Sequence, residues 1–329
     1  MQIAAFLLKR TLQFVLLALL VAFAAFLLSS VIPGDFFSTH LLDSSVRAEA
    51  IEQLRHKYGL DQSAYVQYTH WLKNLARMDL GYSLFYQRPV VPLVADALVK
   101  TLWMGIPALI LGIGGGMVVG TFHRITARPL WGRILDLLST VALSLPSLLL
   151  GLVALLFAAH THWFPLGGMD SVGAQESGLW QWVMDRIHHL ILPVACLTIP
   201  VFAYVERIQY ASTEGGPSEM FLRSARARGL SRRRIFFQYI LRPGLNPVLS
   251  VSGPLIGGIL SGSLVLEVLF SWPGLGQITY DSLFNSDLFL LAGCIMGSSL
   301  LLVAGNLLAD LAMMGLDPRT RALIRKGLQ

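Results

Sequence analysis

The sequence predicts an all-α integral membrane protein with six transmembrane helices and a small helical extracytoplasmic region between the first two. Three observations carry this. Of 329 residues, 54% are hydrophobic and only 13% charged, and the mean hydropathy is +0.62, which excludes an ordinary soluble domain. Six apolar runs are each long enough to cross a bilayer core of about 30 Å. Lysine and arginine fall unevenly on alternate loops.

The first run, residues 12–32, follows Lys9 and Arg10. As a helix it spans roughly 31 Å. Ala22-Phe23-Ala24 matches a signal-peptide cleavage pattern, but it lies mid-run and the run is longer than a signal core. The segment therefore reads as a retained span, closing at Ile32-Pro33-Gly34-Asp35. Residues 36–98 are amphipathic and do not span. Ser44 or Ser45 can cap a helix ending at Tyr58, with Gly59 beyond it. Ser63 can cap a second, with Tyr65, Tyr68, Leu72 and Leu75 on one face.

The second span covers residues 101–121 and carries Gly112, Gly116 and Gly120 at four-residue spacing. Such a row lets another helix approach closely. The third covers 134–159, with Ser144-Leu145-Pro146 inside it. A proline at that depth kinks the helix and frees a carbonyl for neighbours to cover. The fourth covers 189–210, with Pro193 and Pro200. The fifth covers 247–270, with Gly253, Gly257 and Ser261 on one face and Gly258 and Gly262 on the next. The sixth covers 288–314.

Orientation follows from the basic residues. With the N-terminus inside, alternate segments hold two, three, eight and four, which is 17 of the 25 lysines and arginines. Seven of the others lie in the long first loop, where charge counts for less. Arg186 stands alone in the other two outer loops. The asymmetry predicts both termini in the cytoplasm. Net charge is +6, with pI near 9.5. The basic residues flank apolar runs rather than forming a continuous patch, so nucleic acid is not an expected partner. Cys196 and Cys294 sit inside apolar runs and read as small apolar side chains, not as a disulfide or metal framework.

Between the fourth and fifth spans, residues 221–249 carry seven arginines and no acidic residue. The stretch reads as two short helices around a hinge. Ser218 can cap the first, with Glu219 in its first turn. Gly229 fits the left-handed position just past its end. Ala225 lies one turn back. Ser231 can cap the second helix, which runs to about Leu241 before Pro243 stops it. A rigid protruding element of this kind suits docking better than chemistry.

No phosphate-loop, nucleophile-elbow or zinc-protease motif is present, so no catalytic residues, enzyme activity or cofactor are expected. If ATP drives this protein, another subunit hydrolyses it. His160, His162, His188 and His189 come with no carboxylate or cysteine motif. They read as interfacial residues, and no metal site is assigned.

The loop sequence Arg223-Ser-Ala225-Arg-Ala227-Arg-Gly229-Leu, with Asn246-Pro247 following, resembles the EAA loop of ABC-importer permeases. The wording is closest to the dipeptide/oligopeptide family. Glu267-Val-Leu-Phe270-Ser-Trp272-Pro273-Gly274-Leu-Gly276 is similar to that family's ExxFxWPGLG, the most specific match in the chain. Pro33-Gly-Asp35, Tyr58-Gly-Leu-Asp61, Asp79-Leu-Gly-Tyr-Ser83 and Leu316-Asp-Pro-Arg-Thr-Arg321 extend the resemblance along nearly the whole chain.

The resemblance implies a type I ABC importer permease fold in the bacterial inner membrane. Residues 1–33 would form the tail and first span, and 34–100 the outer loop. Residues 101–315 would form a permease core with coupling loop 211–246, and 316–329 the cytoplasmic tail. Arg223, Ala225, Ala227, Gly229 and Ser231 would meet the ATPase. Glu267, Phe270, Trp272, Pro273, Gly274 and Gly276 would form an outer-mouth motif, while Gly112, Gly116, Gly120, Gly253 and Gly257 pack helices. Implied partners are a second homologous permease, two ABC ATPase subunits, an extracytoplasmic solute-binding protein and membrane lipid. The cargo would be peptides or related small solutes.

One departure is Ser212-Thr-Glu-Gly215-Gly216-Pro217-Ser218, where the family continues a helix. Two other readings stay open: a membrane scaffold or sensor with a basic docking loop, and an importer of nickel or another non-peptide solute. An ion-coupled transporter would need ionisable groups at mid-span, and the spans carry almost none.

Overall fold

The computed structural model describes residues 2–31, 36–37, 52–53, 55–56, 59, 61–125, 129–176, 178–214 and 219–316. Outside these residues lie the Pro33-Gly34-Asp35 corner, most of the expected helix ending at Tyr58, the Gly215-Gly216-Pro217 break, the Ser218 cap and the tail beyond Leu316.

In chain order come α1 (Gln2–Val31), α2 (Ala64–Leu75) and a hairpin of β1 (Tyr82–Ser83) and β2 (Arg88–Pro89). Then follow α3 (Val90–Ile125), α4 (Pro129–Ser144), α5 (Ser147–Thr161), α6 (Leu179–Glu214) and α7 (Glu219–Ala227). The last elements are α8 (Arg232–Arg234), a π-helical segment (Ile235–Leu241), α9 (Arg242–Leu269), α10 (Leu275–Phe284) and α11 (Leu288–Leu316). Among the described residues, α1, α3, α6, α9 and α11 are long and apolar enough to cross a membrane, and the bent pair α4–α5 makes a sixth if it counts as one span.

That pair corrects the expected single kinked span over residues 134–159. The chain turns through 103° between α4 and α5. Pro146 takes an extended conformation, φ −60° and ψ 147°. It disfavours a helical Leu145 and supplies no N–H to the preceding turn. The Ser144 and Thr140 hydroxyls donate back to the carbonyls of Thr140 and Asp136, at 2.8 and 2.6 Å, covering backbone groups in the last turns of α4. By contrast, α6 stays continuous through Pro193 and Pro200, and α3 starts at Val90, well before residue 101.

The chain divides into two compact units, one of residues 1–6, 102–272 and 304–329, the other of residues 7–101 and 273–303. In the first, α6 is central: α4, α5 and α9 all pack on it. Its core joins Met104 and Ala108 of α3, Val201 and Val205 of α6, Leu266 of α9 and the following Trp272. Gly151 lets α5 and α9 meet, since a Cβ there would fall 2.7 Å from Leu266 Cδ2.

In the second unit, Trp71 of α2 is buried with Ala22 and Phe26 of α1 and Leu288 and Ala292 of α11. The Tyr68 hydroxyl donates to the Leu19 carbonyl at 3.1 Å. The buried face of α2 is thus Ala64, Tyr68, Trp71 and Leu75, whereas Tyr65 is 66% exposed and Leu72 also faces outward. The expected face is therefore rotated, because Trp71 buries more apolar surface than Leu72 can.

The hairpin was not anticipated. It pairs Tyr82 with Pro89 and Ser83 with Arg88, and Asp287 clamps it. One carboxylate oxygen of Asp287, which is fully buried, accepts from Ser83 Oγ at 2.6 Å and the Phe85 N–H at 3.0 Å. The other accepts from the Leu290 N–H at 3.2 Å, capping α11.

Candidate functional site

The basic loop between α6 and α9 has its own small core. Ala225 of α7 is buried against Ile235, Ile240 and Leu230. At the end of α7 the Arg228 N–H donates to the Ser224 carbonyl at 3.0 Å and the Leu230 N–H to the Ala225 carbonyl at 3.2 Å. Gly229 stands between them with φ +81°. This is a Schellman ending, with the Leu230–Ala225 contact that accompanies it. No atom lies within 4 Å of a Cβ built on Gly229, so conformation rather than space calls for glycine there. Ser231 Oγ then accepts from the Arg234 N–H at 3.3 Å.

Two expectations change here. Pro243 does not stop the second helix. The chain widens into the π-helical segment and continues into α9, with Pro243 in its first turn. Pro243 offers no N–H to the Tyr239 carbonyl, and a wider helix is one way to pass such a gap. Ala225 does not face outward either: it fills the loop's interior. Arg223, Ala227, Gly229 and Ser231 remain exposed.

The glycine row of α3 lies against α6. A Cβ on Gly112 would fall 2.6 Å from Val201 Cγ1, and one on Gly116 would fall 2.7 Å from the Phe202 carbonyl oxygen. One on Gly120 would fall 2.6 Å from the Glu206 carbonyl oxygen. At the end of this seam sits a buried polar cluster. His123 Nδ1 of α3 lies 2.7 Å from Glu206 Oε1, and Ser139 Oγ of α4 donates to Glu206 Oε2 at 2.9 Å. The Tyr210 ring stacks on His123 at 4.2 Å. None of these residues was singled out from the sequence. The signal available was Glu206 itself, an acidic residue near the end of the fourth apolar run. On α9, a Cβ on Gly253 would collide with the Asn306 side chain, while Gly257 is half-buried.

The Glu267–Gly276 motif covers the end of α9 and the start of α10. The Ser271 N–H donates to the Val268 carbonyl at 3.2 Å and the Trp272 N–H to the Glu267 carbonyl at 2.8 Å. This is a second Schellman ending, with Ser271 at φ +50° in the place glycine usually takes. The Phe270 carbonyl accepts from the Gly168 N–H at 2.8 Å. Glu267, Phe270 and Trp272 are all buried, so Glu267 faces the interior of the unit. Gly274 precedes α10 in an extended conformation, and Gly274 and Gly276 are buried and Pro273 half-buried.

A concavity of about 510 Å³ opens beside the α4–α5 break, lined by Leu145, Ser147, Pro200, Tyr204, Gly258 and Ser261 among others. No charged side chain lines it among the described residues. His188 Nε2 lies 2.8 Å from the Trp163 carbonyl oxygen and His189 Nδ1 2.9 Å from the Asp185 carbonyl oxygen. Among the described residues, no three His, Cys, Asp or Glu side chains converge as metal ligands.

Membrane-length helices, a bent helix pair beside an uncharged concavity and a basic loop with its own core fit a membrane transport component. The chain belongs to the family of binding-protein-dependent transport system inner membrane components, whose profile matches residues 112–322, with the family's N-terminal profile matching residues 3–105. It is 32% identical to the oligopeptide transport system permease protein AppB of Bacillus subtilis (strain 168), over 96% of this chain and 99% of that one. It is 30% identical to the glutathione transport system permease protein GsiC of Escherichia coli (strain K12), over 96% and 98%. A solved structure of the MetNI methionine ABC transporter in an inward-facing conformation aligns at a TM-score of 0.49 and 18% identity, covering 70% of this chain and 95% of that one. This chain is thus a transmembrane permease component of an ABC importer, in a family that is not the catalytic subunit.

Proposed function

We propose that this permease passes peptides or related small solutes and takes its power stroke through the loop of residues 219–241. A solute-binding protein delivers the cargo outside, a second homologous permease completes the pathway, and two ATPase subunits hydrolyse ATP. Both termini lie in the cytoplasm, on the side of the basic loop, as the lysine and arginine asymmetry supports. The observation that carries the reading is the loop's construction: a self-contained core with Arg223, Ala227, Gly229 and Ser231 left exposed. The uncharged concavity supports a pathway wall that tolerates varied cargo. The relatives' printed names support a peptide-like solute.

Co-expression with the second permease and the ATPases of the same importer, supplied with its solute-binding protein, tests it. A purifiable complex that takes up peptide into vesicles only with ATP is expected, along with no ATPase activity in the isolated chain. Hydrolysis by the single chain, or no complex, would contradict the reading.

A further inference from the structure

Gln209 sits on α6 one turn beyond Glu206 and is fully buried. Two glycines on two other helices make the slot that holds it. A Cβ on Gly120 of α3 would fall 2.9 Å from Gln209 Cβ, and one on Gly244 of α9 would collide with the Gln209 amide itself. The amide nitrogen donates to Thr121 Oγ1 at 3.0 Å and to the Leu241 carbonyl at 3.3 Å. Thr121 in turn donates to the Met117 carbonyl at 2.7 Å. A glutamine amide has two N–H donors, and here each goes to a different element. One element is α3. The other is the last residue of the π-helical segment, where the docking loop runs out into α9.

The seam between α3 and α6 already closes through Gly112 and Gly116, so the bond to Leu241 is not needed for that packing. What it adds is a tie between the loop's exit and the paired spans. A π-helical segment is a rare, often functional irregularity, and this partly buried bond ties its last carbonyl to α6. The geometry points to Gln209 as a positioning residue that passes movement of the 219–241 loop to α3 and α6. This rests on the proposal that the loop docks to the ATPase.

The test uses the whole importer in proteoliposomes. Gln209→Met keeps nearly the same shape without the donors, and Gly244→Ala pushes a methyl into the same amide. Both are expected to assemble with the ATPase and to keep basal ATP hydrolysis. Uptake per ATP hydrolysed should fall at least about fivefold, the low end for coupling between distinct sites. Wild-type uptake per ATP in Gln209→Met would overturn the inference, whatever Gly244→Ala does. Loss of ATPase assembly in both would overturn it too, since Gln209 would then be a packing residue only. Gly229→Val, run in parallel, separates the two levels. Defective Gly229→Val with wild-type Gln209→Met sinks only this inference, whereas wild-type Gly229→Val sinks the docking role of the loop.

Discussion

Gly229 offers a way to separate backbone conformation from partner contact. Its φ is +81° and the space around a Cβ is empty. Any cost of a side chain within this chain is therefore conformational, about 1–2 kcal/mol for an ordinary L-residue. That is a factor of about 5–30 in the balance between the turn and its alternatives. Apparent affinity for the ATPase falls by up to that factor, because only the formed turn presents the loop correctly. Gly229→Ala should show this loss and Gly229→Val a larger one, since β-branching narrows the backbone further. Gly229→Asn should lose least, because asparagine tolerates the left-handed region. The assay is ATPase binding to the permease pair in nanodiscs at matched protein amount. Wild-type binding by Gly229→Val would refute the need for a left-handed turn. Gly229→Asn as damaging as Gly229→Val would show that the partner's contact, not the backbone, sets the loss.

Gly116→Val should reduce the folded protein recovered from membranes, since the Phe202 carbonyl cannot move aside and overpacking costs typically about 1–3 kcal/mol. Gly114→Val, with nothing within 4 Å of its Cβ, is the matched control and should be recovered normally. Ala225→Trp cannot fit among Ile235, Ile240 and Leu230, so limited proteolysis should cut the loop as ATPase binding is lost, whereas Ala227→Trp should weaken binding with the loop uncut. Asp287→Ala leaves three donors without their acceptor, and a thermal scan should show destabilisation of about 1–3 kcal/mol. Arg234→Ala removes an exposed side chain bonded to Gln238, and uptake should fall less than in Gly229→Val.

Most of the spans and the helix–glycine–helix form of the basic loop were legible because their signals are local. Apolar length marks a membrane helix whatever surrounds it. Gly229 followed by Ser231 marks a helix end and a helix start through backbone chemistry alone. The glycine row of α3 was visible for the same reason, as spacing along one helix. What stayed hidden depends on distant pairing. Asp287 lies about 200 residues from Ser83, and nothing in either neighbourhood announces the clamp. The α2 face was misjudged because a helical wheel does not say which aromatic a neighbouring helix will meet, and Phe26 meets Trp71. Pro146 announced a kink, but local chemistry does not separate a kink from a 103° turn. Gln209 needed two glycines from two other helices to become meaningful.

The central claim, that the 219–241 loop is where the ATPase docks, is tested most directly by cross-linking. Cys196 and Cys294 are buried, so a single introduced thiol reports its own position. Ala227→Cys and Ser231→Cys lie exposed on the loop, and Val172→Cys lies fully exposed between α5 and α6. In vesicles of the assembled importer, a short thiol-to-amine cross-linker should join the ATPase to the first two and not to the third. A cross-link from Val172→Cys with none from Ala227→Cys or Ser231→Cys would contradict the account.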